Sequence, residues 1–133
     1  MKTTILFILS AAFLLSLSGC TQKTETTAQQ LGITAFEQKM NSTSDKIVLD
    51  VRTPAEFRQG HVAGATLIDV LESDFEEKVQ KLDKSKPLFV YCASGIRSEE
   101  AVAILHRLGY REIYELEGGF REWESAGKPI END

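Results

Sequence analysis

A pair of short apolar runs decides the fold class of this chain. Ile47-Val48-Leu49-Asp50-Val51 and Leu88-Phe89-Val90-Tyr91 are each followed at once by a helix-opening sequence. Runs of this kind, without polar alternation, are strands buried on both faces of a parallel sheet. Parallel neighbours need crossover connections, which are usually helices. After the first run, Thr53-Pro54-Ala55-Glu56 supplies a capping threonine, a proline for the first helical position and a glutamate, and Gly60 stops that helix within two turns. After the second run the chain passes through Cys92 to Ser98 into a helix whose Ala101, Ile104, Leu105 and Leu108 share one face, with Gly109 as its stop.

The remaining segments repeat the alternation. A short strand is expected at Leu31 to Ile33, and Thr34-Ala35-Phe36-Glu37 reads as a capping box opening a helix that turns Phe36 and Met40 to the core. Ala65 to Asp69 offers another strand. Ser73-Asp74-Phe75-Glu76 is a third capping box, with Phe75, Val79 and Leu82 at helical spacing, and Pro87 ends that connection. Ile113 to Leu116 makes the last strand, Gly118-Gly119 a turn, and Phe120 to Ser125 a short helix carrying Trp123. The pattern predicts an α/β fold, a mostly parallel central sheet with helices on both faces and no internal repeats.

Ahead of this unit, Lys2 and the apolar run from Ile5 to Leu17 read as a secretory signal peptide, too short to span a membrane comfortably. It ends in Leu17-Ser18-Gly19-Cys20, which resembles the bacterial lipoprotein signal. The expected division is a signal at 1–19, a lipid-anchored flexible tether at 20–30 beginning with lipidated Cys20, and one domain at 31–130. That implies export, with attachment to a bacterial membrane at the periplasmic or extracellular face; each buried methylene of a lipid contributes about 0.8 kcal/mol. Lipidation of Cys20 leaves Cys92 as the one free thiol and permits no internal disulfide. The net charge of −5 argues against nucleic acid as a partner.

Cys92 stands where a strand delivers a side chain to the carboxyl edge of the sheet and a helix begins, the place where ligands of open α/β sheets bind. The free N–H groups of the next helix favour an anion there, and a thiolate is one. Backbone N–H groups from Ala93 to Ser98, curled into a nest and helped by Arg97, would lower the thiol's pKa, and Gly95 lets the loop close. A buried inert thiol is the alternative for a lone cysteine; Gly95 and Arg97 at these spacings favour the nucleophile. Two separated histidines and one free cysteine make no adequate metal-ligand set. His61, in Gly60-His61-Val62-Ala63-Gly64, is read as locking a turn by hydrogen bonding, and His106 as a solvent residue off the apolar stripe.

Three separated motifs from about Leu31 to Lys128 resemble a single rhodanese domain: Asp50-Val51-Arg52 with Glu56-Phe57, Gly60-His61-Val62 and Gly64-Ala65; Cys92 to Ser98; and Leu116-Glu117-Gly118-Gly119-Phe120 with Trp123. Asp69 stands where many relatives have asparagine. The resemblance implies a sulfurtransferase in which Cys92 takes the outer sulfur of thiosulfate as a persulfide, releases sulfite, and passes the sulfur to a thiol or cyanide. Ala93, Ser94, Gly95, Ile96, Arg97 and Ser98 then form the binding loop, no cofactor is required, and the domain is expected to be monomeric.

Arg97 could hold the donor's oxygens or brace the loop by pairing with Glu56 or Asp50, and the residues favour neither. Asp50, Arg52 and Glu56 are expected to support the first loop rather than react. Phe120 and Trp123 are expected to pack. Phosphatases and arsenate reductases related to this fold are rivals, but those phosphatases place five residues between cysteine and arginine, where this chain has only Ala93, Ser94, Gly95 and Ile96. A non-catalytic module that binds a partner or senses oxidants through Cys92 is the remaining alternative.

Overall fold

The computed structural model describes residues 27–132. The signal at 1–19, Cys20 and the first part of the tether lie outside them. The elements run β1 (Thr27–Leu31), α1 (Ile33–Ser42), β2 (Ile47–Asp50), α2 (Pro54–Arg58), β3 (His61–Val62), β4 (Thr66–Leu67), α3 (Phe75–Val79), β5 (Leu88–Tyr91), α4 (Ile96–Arg107), β6 (Glu112–Leu116), α5 (Gly119–Ser125) and β7 (Ile130–Glu131). The main sheet has the order β1-β6-β5-β2-β4, all parallel, and β3 pairs with β7 in a small antiparallel ladder. The expected parallel α/β architecture is present, and β5, which delivers Cys92, is the central strand.

Side chains alternate across the sheet and so divide the core in two. Leu88, Val90 and Cys92 of the central strand and its exit join Leu49, Val51, Ile113, Phe75, Val79, Ala101 and Leu105 on the face covered by α3 and α4. Phe89 and Tyr91 join Val48, Tyr114, Leu116, Phe36, Met40, Phe120 and Trp123 on the face covered by α1 and α5. The stripe read along α4 is the one that packs: Ala101 and Leu105 are fully buried, with Ile104 and Leu108 against the same cluster.

Several local expectations are corrected. Thr27 to Gln30, assigned to the tether, belong to β1, held by parallel pairing with β6 from Thr27 opposite Glu112 to Leu31 opposite Leu116. Backbone pairing holds this segment, whose Ala28, Gln29 and Gln30 are exposed and carry no apolar pattern to announce it. The domain therefore starts before residue 31, and β7 carries it one residue past 130, to Glu131. Of the three capping boxes only one forms: Thr53 Oγ1 accepts from Glu56 N–H, and the Glu56 carboxylate accepts from Thr53 N–H. Helix α1 begins two residues early, at Ile33 with Gly32 as its cap, and α3 is capped at Asp74 without a side-chain bond. Glu37, free of the box, pairs with Lys128 at 2.5 Å. Finally, β6 is buried from Ile113 to Leu116 because both faces are covered, Ile113 joining the cluster under α3 and α4 and Tyr114 and Leu116 the one under α1 and α5.

Candidate active site

The site is built at the carboxyl end of β5. Cys92 is 1 % exposed, while Ser94 and Ile96 of its loop reach solvent, Ile96 at 78 %. Gly95 adopts φ +103°, a conformation open to glycine, and turns the loop into α4. Its N–H points at the Cys92 sulfur from 3.1 Å. Burial opposes ionisation of the thiol, but the Ser98 hydroxyl and the N–H groups of Ser94, Ser98 and Gly95 outweigh it, so Cys92 titrates below its ordinary value. The N–H groups at the sulfur are those of Ser94, Gly95 and Ser98.

The loop's carbonyls are drawn the other way. Phe120 N–H donates to Cys92 O at 2.8 Å, and Arg121 N–H donates to Ala93 O at 3.1 Å. These are otherwise unpaired donors of the first turn of α5. Their demand turns the oxygens outwards and leaves the loop's N–H groups facing the sulfur. Such close docking needs glycine at 119: a Cβ there would lie 2.6 Å from the Ala93 carbonyl carbon and 2.7 Å from Cys92 O. Gly119 and the start of α5 are thus site elements that sequence reading had assigned to a turn and a packing helix. The Gly118-Gly119 pair was the available signal.

The supporting residues form a chain of contacts from β2 to the loop. Asp50 is fully buried and holds Arg52 by two-pronged pairing, with Arg52 Nη2 at 2.7 Å from Oδ2 and Nε at 3.0 Å from Oδ1. Arg52 also donates to Gly60 O at 2.7 Å, and its guanidinium lies 4.1 Å from the centre of the Phe120 ring. This fixes the segment that carries α2. From α2, Glu56 takes both arms of Arg97, at 2.8 and 2.6 Å. The Arg97 pairing, offset by burial and assisted by the Thr53 N–H and hydroxyl, holds the Glu56 carboxyl at about 2. Asp50 and Arg52 thus order the first loop, and Glu56 ties it to the cysteine loop through Arg97.

His61 locks its turn as expected: Nδ1 is 3.1 Å from Phe57 O, and the ring stacks on Phe57 at 3.7 Å. His106 is exposed. Trp123 is buried and donates to Pro129 O at 2.9 Å. Phe120 packs on Tyr91 but also faces a cavity of about 330 Å³ beside Ala93, bounded by the cations of Arg52 and Arg121 and the carboxylates of Glu56 and Glu124. Charge there is balanced, so recognition of an anion at the sulfur falls to the backbone nest.

A parallel sheet whose central strand delivers a buried cysteine into a nest of loop N–H groups places this chain in a known class of α/β domain. The chain belongs to the rhodanese family: the model of the rhodanese-like domain matches residues 33–126. It is 32 % identical over 96 residues to a sulfurtransferase of Allochromatium vinosum, covering 72 % of this chain and 88 % of that one. It is 35 % identical over 81 residues to the thiosulfate sulfurtransferase GlpE of Coxiella burnetii, covering 61 % of this chain and 74 % of that one. Some relatives are longer: the chain spans 59 % of an uncharacterized Bacillus subtilis protein and 31 % of a tRNA uridine(34) hydroxylase of Cytophaga hutchinsonii. Among solved structures, a rhodanese-related protein of Thermoplasma volcanium superposes with a TM-score of 0.69 at 31 % identity, covering 79 % of this chain and 99 % of that one.

Proposed function

We propose that the protein is a sulfurtransferase that moves sulfane sulfur from thiosulfate, or a donor like it, through a persulfide on Cys92 to a thiol or cyanide. The observation that carries this is the Gly95 N–H at 3.1 Å from a buried sulfur whose surrounding donors favour the thiolate. The thiolate attacks the outer sulfur, the S–S bond of thiosulfate breaks, and sulfite leaves with the bonding pair. The terminal persulfide sulfur occupies the nest in its turn. An acceptor thiolate or cyanide then bonds to that sulfur, and the Cys92 thiolate leaves with the pair. No proton need be removed from the nucleophile, consistent with His61 being committed to Phe57.

The four-residue spacing between Cys92 and Arg97 supports sulfur over phosphorus or arsenic, and Arg97 is already engaged with Glu56 instead of being free for a tetrahedral anion. Intact mass decides the matter. The domain should gain one sulfur atom's mass on exposure to thiosulfate, Cys92→Ser should not, and added cyanide should release thiocyanate. No gain and no thiocyanate would overturn the reading.

The same reading includes export as a lipoprotein with lipid on Cys20, the domain acting as a monomer at the membrane surface. The support is the Leu17-Ser18-Gly19-Cys20 sequence at the end of an apolar run. Labelled fatty acid should enter the full chain in a bacterial host and should not enter Cys20→Ala. Label in neither would remove the anchor.

A further inference from the structure

Ser98 has one hydroxyl proton and several claimants. Its Oγ is 3.0 Å from Gly95 O and 2.7 Å from Glu115 Oε1, and the same hydroxyl helps to draw the Cys92 thiol below its ordinary pKa. Glu115 is the anomaly. It sits inside β6, opposite Gln30 of β1 and Val90 of β5, 7 % exposed. Strand alternation places it on the sheet face that also carries Val90 and Cys92. Among the described residues no basic group pairs with it, and its side-chain hydrogen bond is to Ser98. A carboxyl buried without a cation has its ionised form disfavoured; here burial, and to a lesser degree Glu99, push it above the ordinary carboxyl value against the bond from Ser98.

We infer that Glu115 is a positioning residue for the nucleophile, deciding through Ser98 whether a hydroxyl proton is available to the Cys92 sulfur. When protonated, Glu115 donates to Ser98 Oγ, and the hydroxyl turns its own proton to the sulfur. When ionised, it takes that proton, leaves the sulfur to the backbone N–H groups alone, and adds a like charge on the same face. Protons reach it without passing the Cys92 loop, because Glu115 lines a cavity of about 350 Å³ between β1 and α4, beside Gln29, Gln30, Glu99 and Val102. Among the described residues, Glu99 from α4 is the charged group facing it, while Ala28, Gln29 and Gln30 from β1, Val90 from β5 and the Ser98 hydroxyl carry no charge.

The inference rests on Cys92 being the nucleophile, and its test reads thiol reactivity instead of sulfur transfer. Iodoacetamide alkylation of Cys92 is followed against pH in the wild type, Glu115→Gln, Ser98→Ala and the double variant. Glutamine keeps a donor towards Ser98 at every pH, so Glu115→Gln should alkylate about threefold faster or more near neutral pH, with the profile moved to lower pH. In the Ser98→Ala background the same substitution should change the rate much less. An equal effect in both backgrounds, or none in either, overturns the inference. The wild type supplies a second measure that needs no variant to fold: the midpoint of the ¹³C-labelled Glu115 carboxyl should move when Cys92 is capped by methyl methanethiosulfonate, and an unmoved midpoint overturns it too. A domain that alkylates as expected yet never gains sulfur would leave this inference standing and remove the proposed activity.

Discussion

A guanidinium with both arms on one carboxylate is already spoken for. In sequence, Arg97 divided evenly between holding the donor and bracing the loop, because an arginine's fork suits either partner. The bonds at 2.8 and 2.6 Å to Glu56 decide for bracing. Lysine at this position is a point charge that cannot keep both bonds. Arg97→Lys should therefore lower stability by about 1–2 kcal/mol in denaturant melts, with the thiosulfate KM little changed. A tenfold rise in KM at unchanged stability would return Arg97 to donor binding. The pH sign follows from Glu56, whose folded-state value is depressed to about 2. The stability it contributes is present above its unfolded value of about 4.5 and is lost as pH falls towards about 2, so the gap between wild type and variant should close over that window. Cys92 to Ser98 were legible because they are contiguous and the chemistry is in the spacing. Glu115 was not, because its meaning depends on register: the same glutamate on an exposed strand would be unremarkable.

Between elements, the decisive contact is α5 against the cysteine loop. Two glycines with positive φ make opposite demands. Gly95 needs only the backbone conformation, since a Cβ there would meet nothing within 4 Å. Gly119, at φ +65°, would also drive a Cβ into the Ala93 and Cys92 carbonyls. Gly95→Ala should cost about 1–2 kcal/mol and retain a functional sulfur nest. Gly119→Ala should cost more, about 2–4 kcal/mol, and slow Cys92 alkylation, since α5 must withdraw and release the carbonyls it holds. Equal stability and equal alkylation in the two variants would refute that division. Strands β2 and β5 and helix α4 were readable because each carries a strong local period. The capping boxes were less so: Thr-x-x-Glu recurs at Thr34, but Glu37 goes to Lys128 and Gly32 starts the helix first, through its carbonyl accepting from Phe36 at 2.9 Å. Local pattern competes with tertiary partners, and the partner wins where it lies within reach.

Across the whole domain, β1 sets a boundary that composition concealed. Its sequence is mostly polar, yet its backbone completes the sheet edge, and its Gln29 and Gln30 wall the cavity behind Glu115. A chain beginning at Thr27 should melt with the full domain, whereas one beginning at Gly32 should melt several degrees lower by calorimetry, having lost five paired residues. Coincident melting of the two would show that the sheet does not need β1. The strand also gives the molecule a polarity. Because β1 runs parallel to β6 and β5, Thr27 enters at the pole where those strands begin, and Cys92 stands at the pole where they end. The first described strand and the cysteine loop therefore stand at opposite ends of the sheet, so that a contact made at Thr27 leaves the loop uncovered.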